Sequence, residues 1–172
     1  MFKFKKIVFV IIFILNSSLV YSAENTVFID IDYVLNNSTL GKLIYKDLEN
    51  INKKNISQLE EKEKLIKEKK DEINKTKNVT SKEKLDQDIL LFNKEVEKYR
   101  IEKDQLIKNF QQIKKTKLDD FMNKINPLIK KYMDENSIEI VLEKKQIFIG
   151  NVNKDISNDI LKLIEKKFNG NW

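Results

Sequence analysis

Two aspartates, Asp30 and Asp32, have the type and spacing that most resemble a catalytic arrangement, because alternate residues of a β-strand lie on one face. A carboxylate pair can carry general acid–base chemistry, usually beside an imidazole or another base. The chain contains no His and no Cys, which excludes imidazole bases, thiol nucleophiles, Cys/His zinc sites and disulfides. We therefore expect these two carboxylates to be buried or to face another subunit, in a structural role.

Sites for phosphates, metal ions and nucleic acids are equally poorly supported. With three Gly in 172 residues, the chain has no Gly-x-x-x-x-Gly-Lys loop for a nucleotide. The segment 86–88 lacks the glycine and the terminal glutamate of a calcium-binding loop. Arg100 is the only Arg, although Arg is the residue best suited to paired hydrogen bonds with phosphates and bases. The sequence thus predicts a protein that is not an enzyme, uses no cofactor or metal, and binds no nucleic acid.

The amino terminus has the three parts of a secretory signal peptide. Three lysines precede an unbroken apolar run at residues 7–15, and Val20 and Ser22 supply small side chains before a cleavage site. The apolar run is too short to cross a hydrocarbon core of about 30 Å. We expect residues 1–22 to be removed on export, which lowers the formal net charge from +6 to +3. An uncleaved anchor or a buried helix is the alternative.

Residues 23–39 are expected to form the first part of a small body. Apolar and polar side chains alternate at residues 26–32, which predicts a half-buried strand. Ser38 or Thr39 can then cap a helix that begins near Leu40. From there the chain is mostly helical.

The middle segment, residues 40–133, is predicted to form two long helices. Apolar residues recur three and four positions apart, as in a coiled coil, with polar residues at some positions. The outgoing ladder consists of Ile44, Leu48, Ile51, Leu59, Ile66 and Ile73, with Asn55, Lys62 and Lys69 at its polar positions. The returning ladder consists of Leu85, Ile89, Phe92, Val96, Tyr99, Leu106, Phe110 and Ile113, with Lys103 at its polar position, and continues after a shift of one residue through Leu118, Phe121, Ile125, Leu128 and Tyr132.

A turn is expected near residues 77–81, where the ladder lapses. Thr80 and Glu83 have the spacing of a capping box, which would start the second helix. Each helix would be on the order of 55 to 70 Å long. One continuous parallel coiled coil is the alternative geometry.

The last segment, residues 134–172, returns to short elements. Pro127 can kink the helix before it, residues 138–143 alternate like a strand, and residues 146–150 are predicted to form a second strand. Asp155 or Ser157 can cap a terminal helix. Because these elements and the first strand bracket the long helices, they can meet only if the helices fold back as a hairpin. We therefore predict an α+β fold in which a long antiparallel helical hairpin, with coiled-coil arms, projects from a small β body that oligomerisation completes.

The order of these segments resembles the OmpH/Skp family of periplasmic chaperones. The most specific parts are the strand V-F-I-D-I-D with Asn36 to Gly41 behind it, and I-E-I-V-L-E-K-K-Q-I-F-I-G followed by D-I-S and a short helix. The resemblance implies a periplasmic homotrimer whose strands form a common body and whose arms surround a cavity. It implies a holdase that binds unfolded outer-membrane proteins without ATP before they reach the membrane assembly machinery.

Three sets of residues are candidates for such functions. Apolar residues off the ladders are expected to contact clients, although they could equally widen the seam or pack between arms: Leu65, Leu90, Leu91, Ile101 and Ile107. Five lysines could attract acidic clients or the anionic surface of a membrane, or simply be solvated: Lys62, Lys69, Lys70, Lys94 and Lys98. The oligomeric body is expected to be built from Val27, Ile29, Ile31, Ile138, Ile140, Leu142, Ile147 and Ile149.

Two other classes of function remain open from the residues themselves. A purely structural envelope coiled coil would be expected to have a fully apolar seam, whereas this ladder contains Asn and Lys. A secreted binder of nucleic acid or another anionic polymer would use the Lys-rich faces, but the low charge of the mature chain and its single Arg argue against it.

Overall fold

The computed structural model describes residues 25–168, so the predicted signal peptide lies outside the described residues. The elements in chain order are strand β1 (Thr26–Ile29), helices α1 (Ile31–Asn37), α2 (Thr39–Thr76) and α3 (Lys82–Glu135), strand β2 (Ile140–Glu143) and helix α4 (Ser157–Phe168), with single 3₁₀ turns at Lys144–Gln146 and Val152–Lys154. Helices α2 and α3 are the two arms, and the short elements form the body. The predicted α+β fold with an antiparallel helical hairpin is confirmed. Among residues 25–168, no helix combines the length and apolar character needed to cross a bilayer.

Strand β1 is shorter than predicted, because it ends at Ile29 and not at residue 32. Asp30 instead caps α1, and its Oδ1 accepts a hydrogen bond of 2.9 Å from the Tyr33 N–H. The placement of Asp30 and Asp32 on one strand face was therefore wrong, since the side-chain cap starts a helix where the alternation suggested a strand. Ile31, also predicted as a strand residue, is the first residue of α1 and is half-buried.

Helices α1 and α2 meet at a corner made by one buried residue, Ser38. Its backbone is extended, with φ −77° and ψ 147°, and its Oγ accepts a hydrogen bond of 3.0 Å from the Gly41 N–H. The prediction that Ser38 or Thr39 caps this helix is thus confirmed for Ser38. Gly41 lies against α1 so closely that a Cβ there would be 1.8 Å from the Leu35 carbonyl oxygen. Only glycine fits this corner without movement of α1.

The arms are unusually long helices for so small a body. Helix α2 has 38 residues and α3 has 54, which corresponds to about 57 and 81 Å at the usual rise per residue. The turn between them falls at residues 77–81, where the ladder lapses. Ser81 caps α3 through a hydrogen bond of 3.4 Å from the Lys84 N–H, so the cap lies one residue after the predicted Thr80. Pro127 lies inside α3 and does not end it.

The two strands form a parallel pair, with Thr26 opposite Ile140 and Ile29 opposite Glu143. The second carboxyl-terminal strand predicted at residues 146–150 is absent, and Phe148 within it is 97% exposed. A strand forms where a neighbouring backbone supplies hydrogen bonds. In the single chain, β1 already has β2 on one side and a bridge from Phe28 to Asp155 on the other. The segment at 146–150 therefore finds no vacant place on β1.

The core lies where both arms enter the body. It combines apolar side chains from β1, all four helices and the approach to β2: Val27, Ile29, Val34, Leu35, Leu40, Ile44, Leu48, Phe121, Ile125, Leu128, Ile138, Ile156, Ile160 and Ile164. Phe28 is buried as well but lies outside this cluster, beside Gly150. The core therefore fixes the roots of the arms, while the rest of each arm depends on its seam.

Candidate functional site

The seam between the arms follows the two predicted ladders. Close to the body its residues are buried, as at Ile44 and Leu48, and farther out they are half-buried. Ile89 and Lys103 are exceptions, because both side chains are exposed. The prediction of Lys103 as a seam position was wrong, since the neighbouring Glu102 is the residue that turns inward. The seam is therefore narrow and becomes less well covered towards the tip.

Ion pairs cross the seam at its polar positions. Lys62 contacts Glu102, whose other carboxylate oxygen accepts a hydrogen bond of 2.6 Å from Gln58 Nε2. The bond from Lys62 lowers the pKa of Glu102, so this carboxylate stays ionised. One seven-residue repeat farther from the body, Lys69 lies 2.5 Å from Glu95. These pairs fix which level of α2 lies beside which level of α3.

Two of the five candidate lysines are thus engaged within the hairpin. Lys62 and Lys69 are half-buried and paired across the seam, a position in which they hold the arms together. Lys70, Lys94 and Lys98 are exposed on the arm surface. Their contact with clients or with an anionic surface stays a prediction.

The five apolar candidates all project into solvent from the arms, each with 49% to 58% of its surface exposed. They do not form one stripe. Ile101 lies eleven residues after Leu90, which brings both to nearly the same side of α3, whereas the adjacent Leu91 is turned by about 100°. Leu65 comes from the other arm. In a single hairpin these residues offer separate small contacts, and their role with clients stays a prediction.

A shallow groove runs along one side of the arms between the two ion pairs. Leu65, Ile66 and Tyr99 supply its apolar surface, and Lys98 lies at its rim. Apolar side chains are therefore accessible between fixed charges, which is an arrangement suited to weak and reversible contacts.

The aspartates that suggested chemistry are neutralised by lysines from the 3₁₀ turn after β2. Lys144 lies 3.6 Å from Asp30 and 3.0 Å from Asp155, and Lys145 lies 2.6 Å from Asp32. The hydrogen bonds that these lysines donate, to Asp155 from Lys144 and to Asp32 from Lys145, raise the pKa of both lysines. Within residues 25–168 no three acidic side chains are arranged to hold a metal ion. The cluster therefore joins the two ends of the body and has no free base.

Asp155 has a second role at the start of α4. Burial tends to raise the pKa of its carboxyl, but hydrogen bonds from Ser157 together with the nearby Lys144 lower it overall. Its Oδ1 accepts from the Ser157 N–H at 3.0 Å and from the Ser157 hydroxyl at 2.5 Å. Of the two predicted caps, Asp155 accepts from the first turn, and Ser157 is the first residue of the helix.

The residues predicted for an oligomeric body divide into two groups. Three are buried in the core of the single chain, namely Val27, Ile29 and Ile138, and two are half-buried, namely Ile31 and Ile147. The other three, Ile140, Leu142 and Ile149, are exposed. Their place in an oligomer stays a prediction, and the last group is the most open to contact.

Several exposed apolar residues were not predicted as candidates for the site, among them Val79 at the turn between the arms, Phe148, Val152 and Ile56. Phe148 and Val152 extend the exposed group of the body, and Ile56 projects from α2. Ile56 could have been found by the same signal as the five candidates, because it also stands off the ladder. Phe148 and Val152 could have been found from the short apolar run after Lys145, if the run had been considered as a loop.

Comparison with known proteins agrees with this architecture. A solved structure of a candidate outer membrane chaperone (OmpH-like) from Caulobacter crescentus CB15 has a TM-score of 0.76, covers 84% of this chain and 85% of that chain, and is 12% identical, so the likeness concerns the fold alone. None of the curated proteins compared matches the sequence. The family described as Outer membrane protein (OmpH-like) matches residues 25–164, which include both arms and most of the body. The chain therefore belongs to the OmpH-like family.

Proposed function

We propose that this protein is an ATP-independent periplasmic holdase chaperone. It binds unfolded outer-membrane proteins in a cavity between helical arms and prevents their aggregation before membrane assembly. The observation that carries the proposal is the pair of long arms with half-exposed apolar side chains spaced along them. Membership of the OmpH-like family supports it, and the Caulobacter protein with the same fold is named as an outer membrane chaperone.

The contacts offered by the arms suit an unfolded client. Burial of apolar surface is non-directional and roughly proportional to area, so separated leucines and isoleucines can bind many sequences weakly. Leu65, Leu90 and Ile101 are each about half exposed. A client held in this way makes no single strong contact with the arms. It can therefore be released one contact at a time as it folds into the membrane.

The body supports a homotrimer. Phe148, Ile149 and Val152 are each more than 80% exposed, and Ile140 and Leu142 lie nearby along the chain with about 40% exposure. Apolar groups of this size are uncommon on the surface of a stable monomer. The segment 146–150 has the alternation of a strand but no partner strand in the single chain. Pairing between copies would bury these side chains and bring three hairpins together around a cavity.

Export to the periplasm follows from the predicted signal peptide at residues 1–22. The exposed lysines Lys70, Lys94 and Lys98 would then face a compartment bounded by anionic membrane surfaces. We expect transient and salt-sensitive contact there, because exposed charges are screened over about 8 Å at physiological ionic strength.

The experiment dilutes a urea-unfolded β-barrel outer-membrane protein into buffer without nucleotide, with and without the mature protein. Light scattering follows aggregation, and the mass of the free protein is measured in parallel. Suppressed aggregation at about one trimer per client, the ratio implied by a shared cavity, would support the proposal. Unchanged aggregation in the presence of a well-folded trimer would refute it and favour a structural coiled coil.

Paired variants test the arms directly. Leu90→Asn with Ile101→Asn should weaken suppression without changing the helix content, because both side chains are half exposed and lie on the same side of α3. Gln105→Ala with Asn109→Ala is the matched control, since both residues are exposed on the same helix. Equal suppression by both double variants would remove these leucine and isoleucine side chains from the mechanism.

A further inference from the structure

Helix α4 makes hydrogen bonds to the start of α1 and to both arms. Ser157 Oγ accepts a hydrogen bond of 2.7 Å from the Asp30 N–H, and Asn158 Oδ1 accepts one of 2.9 Å from the Tyr33 hydroxyl. These contacts hold the first turn of α4 to the start of α1. Farther along, α4 reaches both arms.

The contact with the outgoing arm is made by Glu165. Its Oε1 accepts a hydrogen bond of 2.6 Å from the Thr39 N–H, and its Oε2 accepts one of 2.7 Å from the Thr39 hydroxyl. Thr39 is the first residue of α2, so its N–H has no partner within the helix. A carboxylate at this position also interacts favourably with the positive end of the helix dipole. A side chain of α4 thus completes the cap that Ser38 begins.

The contact with the returning arm is made by Asp159, whose Oδ2 accepts a hydrogen bond of 3.1 Å from the Tyr132 hydroxyl. Burial, together with this bond, raises the pKa of Tyr132, so the hydroxyl keeps its proton. The contacts of α4 with the two arms differ in their burial. The Asp159 contact is partly buried, whereas the Glu165 contact lies at the surface. Between them, Ile160 and Ile164 are completely buried.

We propose that α4 is a clamp that sets the direction in which the arms leave the body, and that the Glu165–Thr39 contact is its releasable grip. When that grip opens, α2 keeps its buried root residues Leu40, Ile44 and Leu48, but its first turn loses its link to α4 beside the single-residue corner at Ser38. The direction of the arm then varies more, while the buried isoleucines keep α4 in place. The functional consequence of this clamp rests on the proposed function, because a change in the direction of the arms would widen the client cavity. Its test uses no client.

The test measures the position of an arm relative to the body in the mature trimer. The protein has no Cys, so Ser57→Cys on α2 and Lys166→Cys on α4 give two unique spin-label sites, both exposed. Dilution with unlabelled protein restricts the signal to one chain. Glu165→Ala should broaden the distance distribution, and amide exchange at residues 39–48 should become about five-fold faster, the factor expected for a lost helix cap.

Glu135→Ala is the matched control, because Glu135 is an exposed glutamate near the root of α3 that pairs with Lys131 of the same helix, at 3.7 Å. It should leave the distances and the exchange unchanged. Unchanged distances in Glu165→Ala, or equal broadening in both variants, would overturn the clamp. If Glu165→Ala does not fold, Thr39→Ala replaces it. This variant loses the hydroxyl contact but keeps the N–H contact, so it should broaden the distance distribution less. No broadening in Thr39→Ala would also overturn the proposal. The aggregation assay is run separately, so failure of the holdase proposal does not decide the clamp.

Discussion

The substitution Gly41→Ala is expected to destabilise the protein, although Ala is the better helix former. Gly41 is buried in the first turn of α2 beneath α1. A Cβ added there would lie 1.8 Å from the Leu35 carbonyl oxygen and 2.7 Å from the carbonyl carbon. Since ordinary contact begins near 3.4 Å, α1 would have to move by about 1.6 Å in a densely packed site.

The size of the effect follows from three terms. Overpacking a core costs about 1–3 kcal/mol, and a collision with backbone belongs at the upper end. The movement would also break the bond from the Gly41 N–H to Ser38 Oγ, and loss of such a cap costs about 1 kcal/mol. The higher helix propensity of Ala restores about 1 kcal/mol. The expected net loss is about 3 kcal/mol.

Urea unfolding followed by circular dichroism measures this loss at one fixed protein concentration, because assembly contributes to the stability of an oligomer. Asn52→Ala is the control, since Asn52 is exposed in the same helix and its substitution should be neutral or slightly stabilising. A Gly41→Ala variant as stable as this control would refute the reasoning about the corner.

Three further substitutions test other parts of the chain. Ser137 has a φ of 52°, so Ser137→Gly should raise the free energy of unfolding by about 0.5–1 kcal/mol, measured from the urea midpoint; a fall would contradict the strain. Asn55→Leu fills a half-buried polar position of the seam and should stabilise the arms by about 1 kcal/mol, with slower amide exchange there; unchanged exchange would mean that this position does not limit the arms. The hydrogen bond from the Thr39 N–H lowers the pKa of Glu165 below its ordinary value of 4.5, so the contribution of the carboxylate is full above that pH and is lost as the pH falls below it. The stability lost in Glu165→Gln should accordingly be larger near pH 7 than near pH 3, and an equal loss at both would contradict the assignment.

The arms were predictable because their signal is long and repetitive. Seam residues such as Ile66 and Phe110 stand in a pattern that extends over many helical turns, so one misplaced residue does not obscure it. The error at Lys103 arose where two neighbouring polar residues could each occupy the seam. Glu102 turns inward because Lys62 and Gln58 of the other arm are there to meet it. That preference depends on which residues of the other arm lie opposite, and the periodicity of a single helix gives no information about this pairing.

The body was less predictable, because its elements are short and depend on their neighbours. An apolar alternation of seven residues could not show that Asp30 would cap a helix, nor that Lys144 and Lys145 would neutralise the aspartates. The absent strand at residues 146–150 has the right alternation, but a strand also requires hydrogen bonds to a neighbouring backbone, and this segment pairs with neither β1 nor β2. The exposed residues of the candidate site were easier to predict, since being off the ladder is itself the signal.

The parallel pairing of β1 and β2 also determines how the chain must fold. The paired residues Thr26 and Ile140 are far apart in the chain, one before the first arm and the other after the second. The hydrogen bond from the Asp30 N–H to Ser157 likewise joins residues that are 127 positions apart. Closing so long a loop costs about 3 kcal/mol more conformational entropy than closing one of five residues. A hairpin formed first, from its five-residue turn at 77–81, removes most of that cost by carrying the two strands to the same place. The contacts of the body therefore join residues far apart in the chain, whereas those of the arms begin at a local turn and extend outward from it. The body is expected to fold last, after α4 has become available.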